Sequence, residues 1–219
     1  GNLPNWNDPW NAGIDVNLKG QEAYQNLTFQ NLYMTGNGLG FKQGVALMIK
    51  ARSDGTTYGA HPATLTNVLI AGGTFTGNER GIRFGEPNQN NAGPTNVQIH
   101  NASIFGNVKT YGPMDGSAYG GLINYSLAAV NAEYNWWGSA SGPTEAGNPG
   151  GTGELVSNAS TGSIDYTPWL GYAPPLALYI PGSPIDLPTG ATSFTLPVKV
   201  NGISFSSTDI IIGGDTIGS

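Results

Sequence analysis

The chain has 219 residues, with 8 Lys and Arg against 14 Asp and Glu, a formal net charge of −6, 34 Gly, 15 Pro and no Cys. Absence of Cys excludes disulfide stapling, a thiol nucleophile and Cys-ligated metal sites, and the singly scattered basic residues offer no stripe for counterion release from nucleic acid. Charged residues make up only 10 %, against about 25 % in ordinary soluble domains.

Gly, Asn, Thr and Ser take the place of charge, and they favour short strands and tight turns over helices. An all-β fold is the expectation. This composition also points to a secreted or cell-surface protein. The most apolar short run, Leu176 to Ile180, is bracketed by Pro175 and Pro181 and falls well short of the roughly 18 to 20 residues of a membrane span. A soluble chain with no membrane span is expected. With Gly1 at its start and no signal peptide, the chain reads as a processed product or a fragment of a longer one.

In chain order, Trp6 and Trp10 come first, in a stretch without strand pattern, as candidates for a glycan or subunit contact. Ile14-Asp-Val-Asn-Leu18 then alternates as a strand does. Three segments beginning at Asn26, Asn67 and Asn96 superimpose without a gap, each closing on Gly-Asn at Asn37, Asn78 and Asn107. Apolar residues recur at their second, fourth and ninth places: Leu27, Phe29, Met34; Val68, Ile70, Phe75; Val97, Ile99, Ile104. Period-two spacing sends the first two to one face of a strand, and the third returns to the same interior after a turn at Asn31, Gly72 or Asn101.

A partial fourth copy places Asn131 over Asn101. The wider gap between the first two copies is a loop insertion, Arg52 to Pro62. Each copy leaves room for a third strand opening with Gly, at Gly44–Ile49, Gly81–Phe84 and Gly121–Tyr125. Three strands per round of about 29 residues predict a parallel β-helix, a solenoid whose rounds stack at roughly 4.8 Å. Asn31, Asn101 and Asn131 are expected to form a hydrogen-bonded stack at one turn, with Asn37, Asn78 and Asn107 as further structural turn positions.

Asn135-Trp-Trp-Gly-Ser-Ala-Ser-Gly-Pro143, Gly151–Val156 and Asp165–Leu170 resemble the C-terminal coil of right-handed β-helix repeat domains of the pectate-lyase-like superfamily. The resemblance covers about residues 20 to 172. It implies a right-handed solenoid in an exported protein, with Trp136 and Trp137 covering the last coil. Lyases and hydrolases of that superfamily carry clustered carboxylates, often with Ca²⁺ or a basic residue, on one face of the coils.

Here Asp54, Glu79, Glu86, Asp115 and Glu133 fall at different phases, near Arg52, Arg80, Arg83 and Lys109. Glu79 or Glu86 with Arg83 would make an acid/base couple, but the expectation is ordinary surface charge, so no catalytic, cofactor or metal residue is assigned. His61 and His100 lack metal-ligand spacing, and no acidic pattern specifies Ca²⁺, which is left open as a ligand. Trp136 and Trp137, like Trp6 and Trp10, are candidates for glycan or subunit contact, with packing as the alternative. The sequons at Asn26, Asn101, Asn124 and Asn158 are close to the about three that this composition yields by chance.

The expected domains are therefore a β-helix over 1–172, with clear repeats at 26–138 and a terminal coil and cap at 129–172, then a Pro-rich linker over 173–188. Over 189–219, Ser193–Val200 and Asp209–Ile212 read as strands of an incomplete β-sandwich or as a segment completed by a neighbouring subunit. The first functional reading is a non-catalytic structural or adhesive element of a surface layer, fibre or filament, self-associating head to tail. The second is a polysaccharide lyase or hydrolase, or a glycan-binding module, on the same scaffold.

Overall fold

The computed structural model describes residues 11–89, 91–111 and 117–174, together with strand residues 199–200 and 203–204. The chain divides into two units, Gly1–Leu178 and Tyr179–Ser219, with the boundary inside the Pro-rich stretch. Most of that stretch and the segments 193–198 and 209–212 lie outside the described residues.

Among its described residues the first unit is all-β apart from one short helix, and its sheets are parallel. One sheet takes β1 (Ala12–Leu18), β4 (Val45–Ala51), β7 (Ile82–Phe84), β10 (Leu122–Asn124) and β12 (Val156–Asn158) in that order. A second takes β2 (Ala23–Gln30), β5 (Thr64–Ala71), β8 (Thr95–His100), β11 (Ala129–Asn131) and β13 (Ser163–Asp165). The third holds β3 (Tyr33–Thr35), β6 (Thr74–Thr76) and β9 (Ser103–Phe105), and an isolated bridge from Ser103 to Trp136 extends it. Helix α1 (Gly55–Ala60) lies in the Arg52–Pro62 insertion and buries none of its residues.

The repeat predicts the register. Leu27 pairs with Val68 and Val68 with Val97; Phe29, Ile70 and Ile99 form the next column; Met34, Phe75 and Ile104 form the third. The strand over 14–18 joins the same scheme, with Ile14, Leu47, Ile82, Leu122 and Val156 in one column. These columns make one continuous core, fully buried in the middle strands and partly exposed at Leu27 and Phe29 of the first.

The fourth copy sits three residues further along than the sequence overlay placed it. Val130 pairs with Val97, and the Asn101 amide donates to the carbonyl of Tyr134. Tyr134, at φ 57°, therefore takes the left-handed turn position over Asn101, and Asn131 lies within β11. Strand pairing overrides the local Asn-Ala match because it brings Trp137 under Ile104, where the indole is fully buried in the core.

The expected Asn31–Asn101–Asn131 stack is consequently not formed. Gly72 stands between the first two and has no side-chain amide, and Asn131 instead bonds locally to Glu133. Two other ladders replace it. Asn67 Nδ2 donates to Asn26 Oδ1 (3.0 Å) and Asn96 Nδ2 to Asn67 Oδ1 (2.8 Å), all three residues having positive φ. At the Gly-Asn turns, Asn37 Nδ2 donates to Asn78 Oδ1 (2.8 Å), Asn78 Nδ2 to Asn107 Oδ1 (2.9 Å), and Asn107 N to Glu154 Oε2 (2.9 Å).

The second unit contains an antiparallel pair, β14 (Lys199–Val200) with β15 (Ile203–Ser204). Its first strand is the end of the expected Ser193–Val200 strand.

Candidate functional site

Strand β4 is apolar apart from Lys50, and all seven of its residues are buried. Leu47, Ile49 and Ala51 supply the core, while the opposite face, Met48 and Lys50, is also covered. A lysine there needs partners, because an unpaired buried cation is costly. It finds them on neighbouring segments. Lys50 Nζ lies 3.1 Å from Glu86 Oε1, just beyond β7, and 3.3 Å from Asp15 Oδ1 on β1.

Arg52 continues the network, with Nε and NH2 each 2.6 Å from an oxygen of Asp54 and NH1 3.6 Å from Glu86 Oε2. Asn91 Nδ2 donates to Asp54 Oδ1 at 2.7 Å, and Tyr58 of α1 stacks on the Arg52 guanidinium at 4.5 Å. The forked bond from Arg52, aided by Asn91, holds the Asp54 carboxyl below its ordinary range despite burial, and raises Arg52 in return.

A second group of charges lies nearer the start of β4. Arg83 donates to the Gln43 carbonyl (3.2 Å) and its side-chain oxygen (2.9 Å) and touches Met48 Sδ. Burial, with Arg80 nearby, pushes Arg83 down to about 10. Arg80 bonds the carbonyls of Gly44 and Ala118 and lies 4.1 Å from the Tyr119 ring centroid. Glu79 accepts from the amides of Gly40 (3.1 Å), Thr110 (3.0 Å) and Tyr111 (2.8 Å) and from the Thr110 hydroxyl.

The expectation of ordinary surface charges is thus overturned. Asp54, Glu79, Arg80, Arg83 and Glu86 are each at most 8 % exposed. Loops fold over this face of the sheet and bury them, which a single-chain phase count cannot reveal. Glu79 is committed to the loop at 110–111, while Glu86 joins Lys50 and Arg52, so neither couple with Arg83 stands as an acid/base pair.

The remaining candidates disperse. His61 is exposed, and His100 Nδ1 contacts the Glu133 carbonyl at 3.0 Å. Lys109 lies over the Tyr119 ring. Trp136 is half-buried; Trp137, wholly internal, is corrected from a contact residue to a core residue. Trp6, Trp10 and Asp115 lie outside the described residues. Among the sequons, Asn26, Asn101 and Asn158 are exposed, but Asn124 is fully buried, donating to the Ala128 carbonyl and accepting from Ser126. Among the described residues no group of three or more His, Cys, Asp or Glu can hold a metal.

No protein family, curated protein or solved structure matches the chain.

The residues missed in the sequence are Lys50, Asp15 and Asn91. A signal existed for two of them: a lone lysine in an apolar strand, and an aspartate alternating with Ile14 and Val16.

Proposed function

We propose that this chain is a right-handed parallel β-helix that serves as a non-catalytic structural or adhesive element of an extracellular layer, fibre or filament. The single observation that carries this reading is how the charges are spent. The buried carboxylates and cations on the covered face bond one another or loop backbone, and Lys50, Asp54 and Glu86 are at most 8 % exposed. Groups held this way brace a scaffold and leave little access for a polymeric substrate.

Strand order supports the architecture: up to β11 every third strand joins the same sheet, and parallel crossovers are right-handed in almost all cases. Edge strands support self-association. Among the described residues β1 and β2 at one end and β13 at the other each pair with one strand only, whereas Val156 of β12 also donates to the Thr144 carbonyl on its outer side. Such edges accept further strands, and a head-to-tail contact repeats without closing. Low charge and an uncharged polar surface fit an extracellular setting.

The second reading, a polysaccharide-active or glycan-binding module, draws on the same convergence of Asp15, Glu86 and Asp54 with Lys50 and Arg52 on one sheet. Light scattering and electron microscopy of the purified chain separate the two. Ordered fibres or arrays are expected; a strictly monomeric chain that shortens or retains polysaccharides would replace the first reading with the second.

A further inference from the structure

We propose that Lys50 and Asp15 become joined by a self-catalysed isopeptide bond, with Glu86 as the proton-transfer group. The Lys50 side chain is 4 % exposed and its Nζ sits between two carboxylates. It lies 3.1 Å from Glu86 Oε1, and 3.3 and 3.4 Å from Asp15 Oδ1 and Oδ2. Near-equal distances to both Asp15 oxygens turn the amine toward the carbon between them. Holding a nucleophile beside the carbon it attacks is what makes such a reaction effectively unimolecular.

The surroundings hold this arrangement. β1 and β4 pair in register from Ala12–Val45 to Leu18–Ala51, so Asp15 and Lys50 keep a constant offset. Arg52 approaches the other oxygen of Glu86, leaving Oε1 to the lysine. The Lys50 side chain is withdrawn from water, while Asp15, 39 % exposed, leaves a route by which a released water can depart.

The step balances as a condensation. Glu86 takes a proton from Lys50 Nζ, and the neutral amine adds to Asp15 Cγ. Glu86 then passes that proton to an Asp15 oxygen. A C–N bond forms, a C–O bond breaks, and two of the three ammonium protons leave with that oxygen as water. One positive and one negative charge disappear together, and Glu86 returns to its carboxylate form beside Arg52. The product is a covalent tie between the edge strand β1 and its neighbour. Such a tie would fix a terminal strand of the sheet to its one neighbour, much as a disulfide does in chains that contain cysteine.

Intact-mass spectrometry of the full 219-residue chain tests this. The expected mass is that of the sequence less one water, and digestion should yield a single branched peptide carrying both Asp15 and Lys50. Lys50→Arg keeps the positive charge but removes the nucleophile, and Glu86→Gln keeps the shape but removes the proton acceptor. Each should restore the full mass in a chain whose circular dichroism is unchanged. A wild-type chain at full mass overturns the bond itself. A Glu86→Gln chain still lacking one water overturns the role given to Glu86.

Discussion

A carboxylate ends an otherwise neutral ladder of amides. Glu154 accepts from the backbone and side-chain nitrogens of Asn107, and burial raises its pKa even though those bonds pull the other way. Because the folded value lies above the unfolded one, the native state binds the proton more readily. Stability from this group is therefore greatest in acid and falls as pH rises from the ordinary 4.5 through the folded pKa. Glu154→Gln keeps an acceptor for Asn107 and removes the charge. It should raise neutral-pH stability by about 1 kcal/mol and flatten the profile, as thermal unfolding at acid and neutral pH would show. Asp54 has the opposite sign: its contribution is complete above its unfolded pKa and is lost as pH falls through the lowered folded value.

At the level of the element, the glycines that open the third strand of each round are packing requirements. A Cβ on Gly81 would stand 2.3 Å from the Gly121 carbonyl oxygen, and one on Gly44 would meet the Gly38 carbonyl. The Gly121 backbone cannot yield without disturbing the pairing of β7 with β10. Gly81→Ala should cost about 3 kcal/mol or more and lower the denaturant midpoint sharply; an unchanged midpoint would mean that β7 and β10 are not packed this closely. The positions of these glycines were legible in the sequence, but the reason for Gly81 was not, since the carbonyl it would strike, that of Gly121, belongs to a segment about 40 residues away. The ladder asparagines show the same division. Asn37, Asn78 and Asn107 were readable as turn formers, whereas the Asn26–Asn67–Asn96 ladder, built from the first residue of each repeat, emerged only once the strands were stacked.

At the largest scale, each strand of the first unit pairs in parallel with strands of the neighbouring repeat copies, so protection should depend on how many partners a strand has. Strands paired on both sides should open last. Hydrogen exchange is expected to be slowest in β4, β5, β7 and β8 and fastest in β1, β2 and β13, with β1 slowed only where the Lys50–Asp15 tie has formed. Uniform protection along the chain would contradict this dependence.

The sequence by itself determined the all-β class and the register of the first three repeat copies. Those follow from alternation and turn chemistry, which act over a few residues and repeat. Only the tertiary structure decided the register of the fourth copy, where burial of Trp137 outweighed a local Asn-Ala match. It also decided the fate of the charges. Asp15, Lys50, Arg52, Asp54 and Glu86 come from different places in the repeat and meet as the strands align, with Lys50, Asp54 and Glu86 buried and Asp15 left partly open to solvent. Burial and charge pairing are properties of three-dimensional neighbours, and no spacing along the chain encodes them.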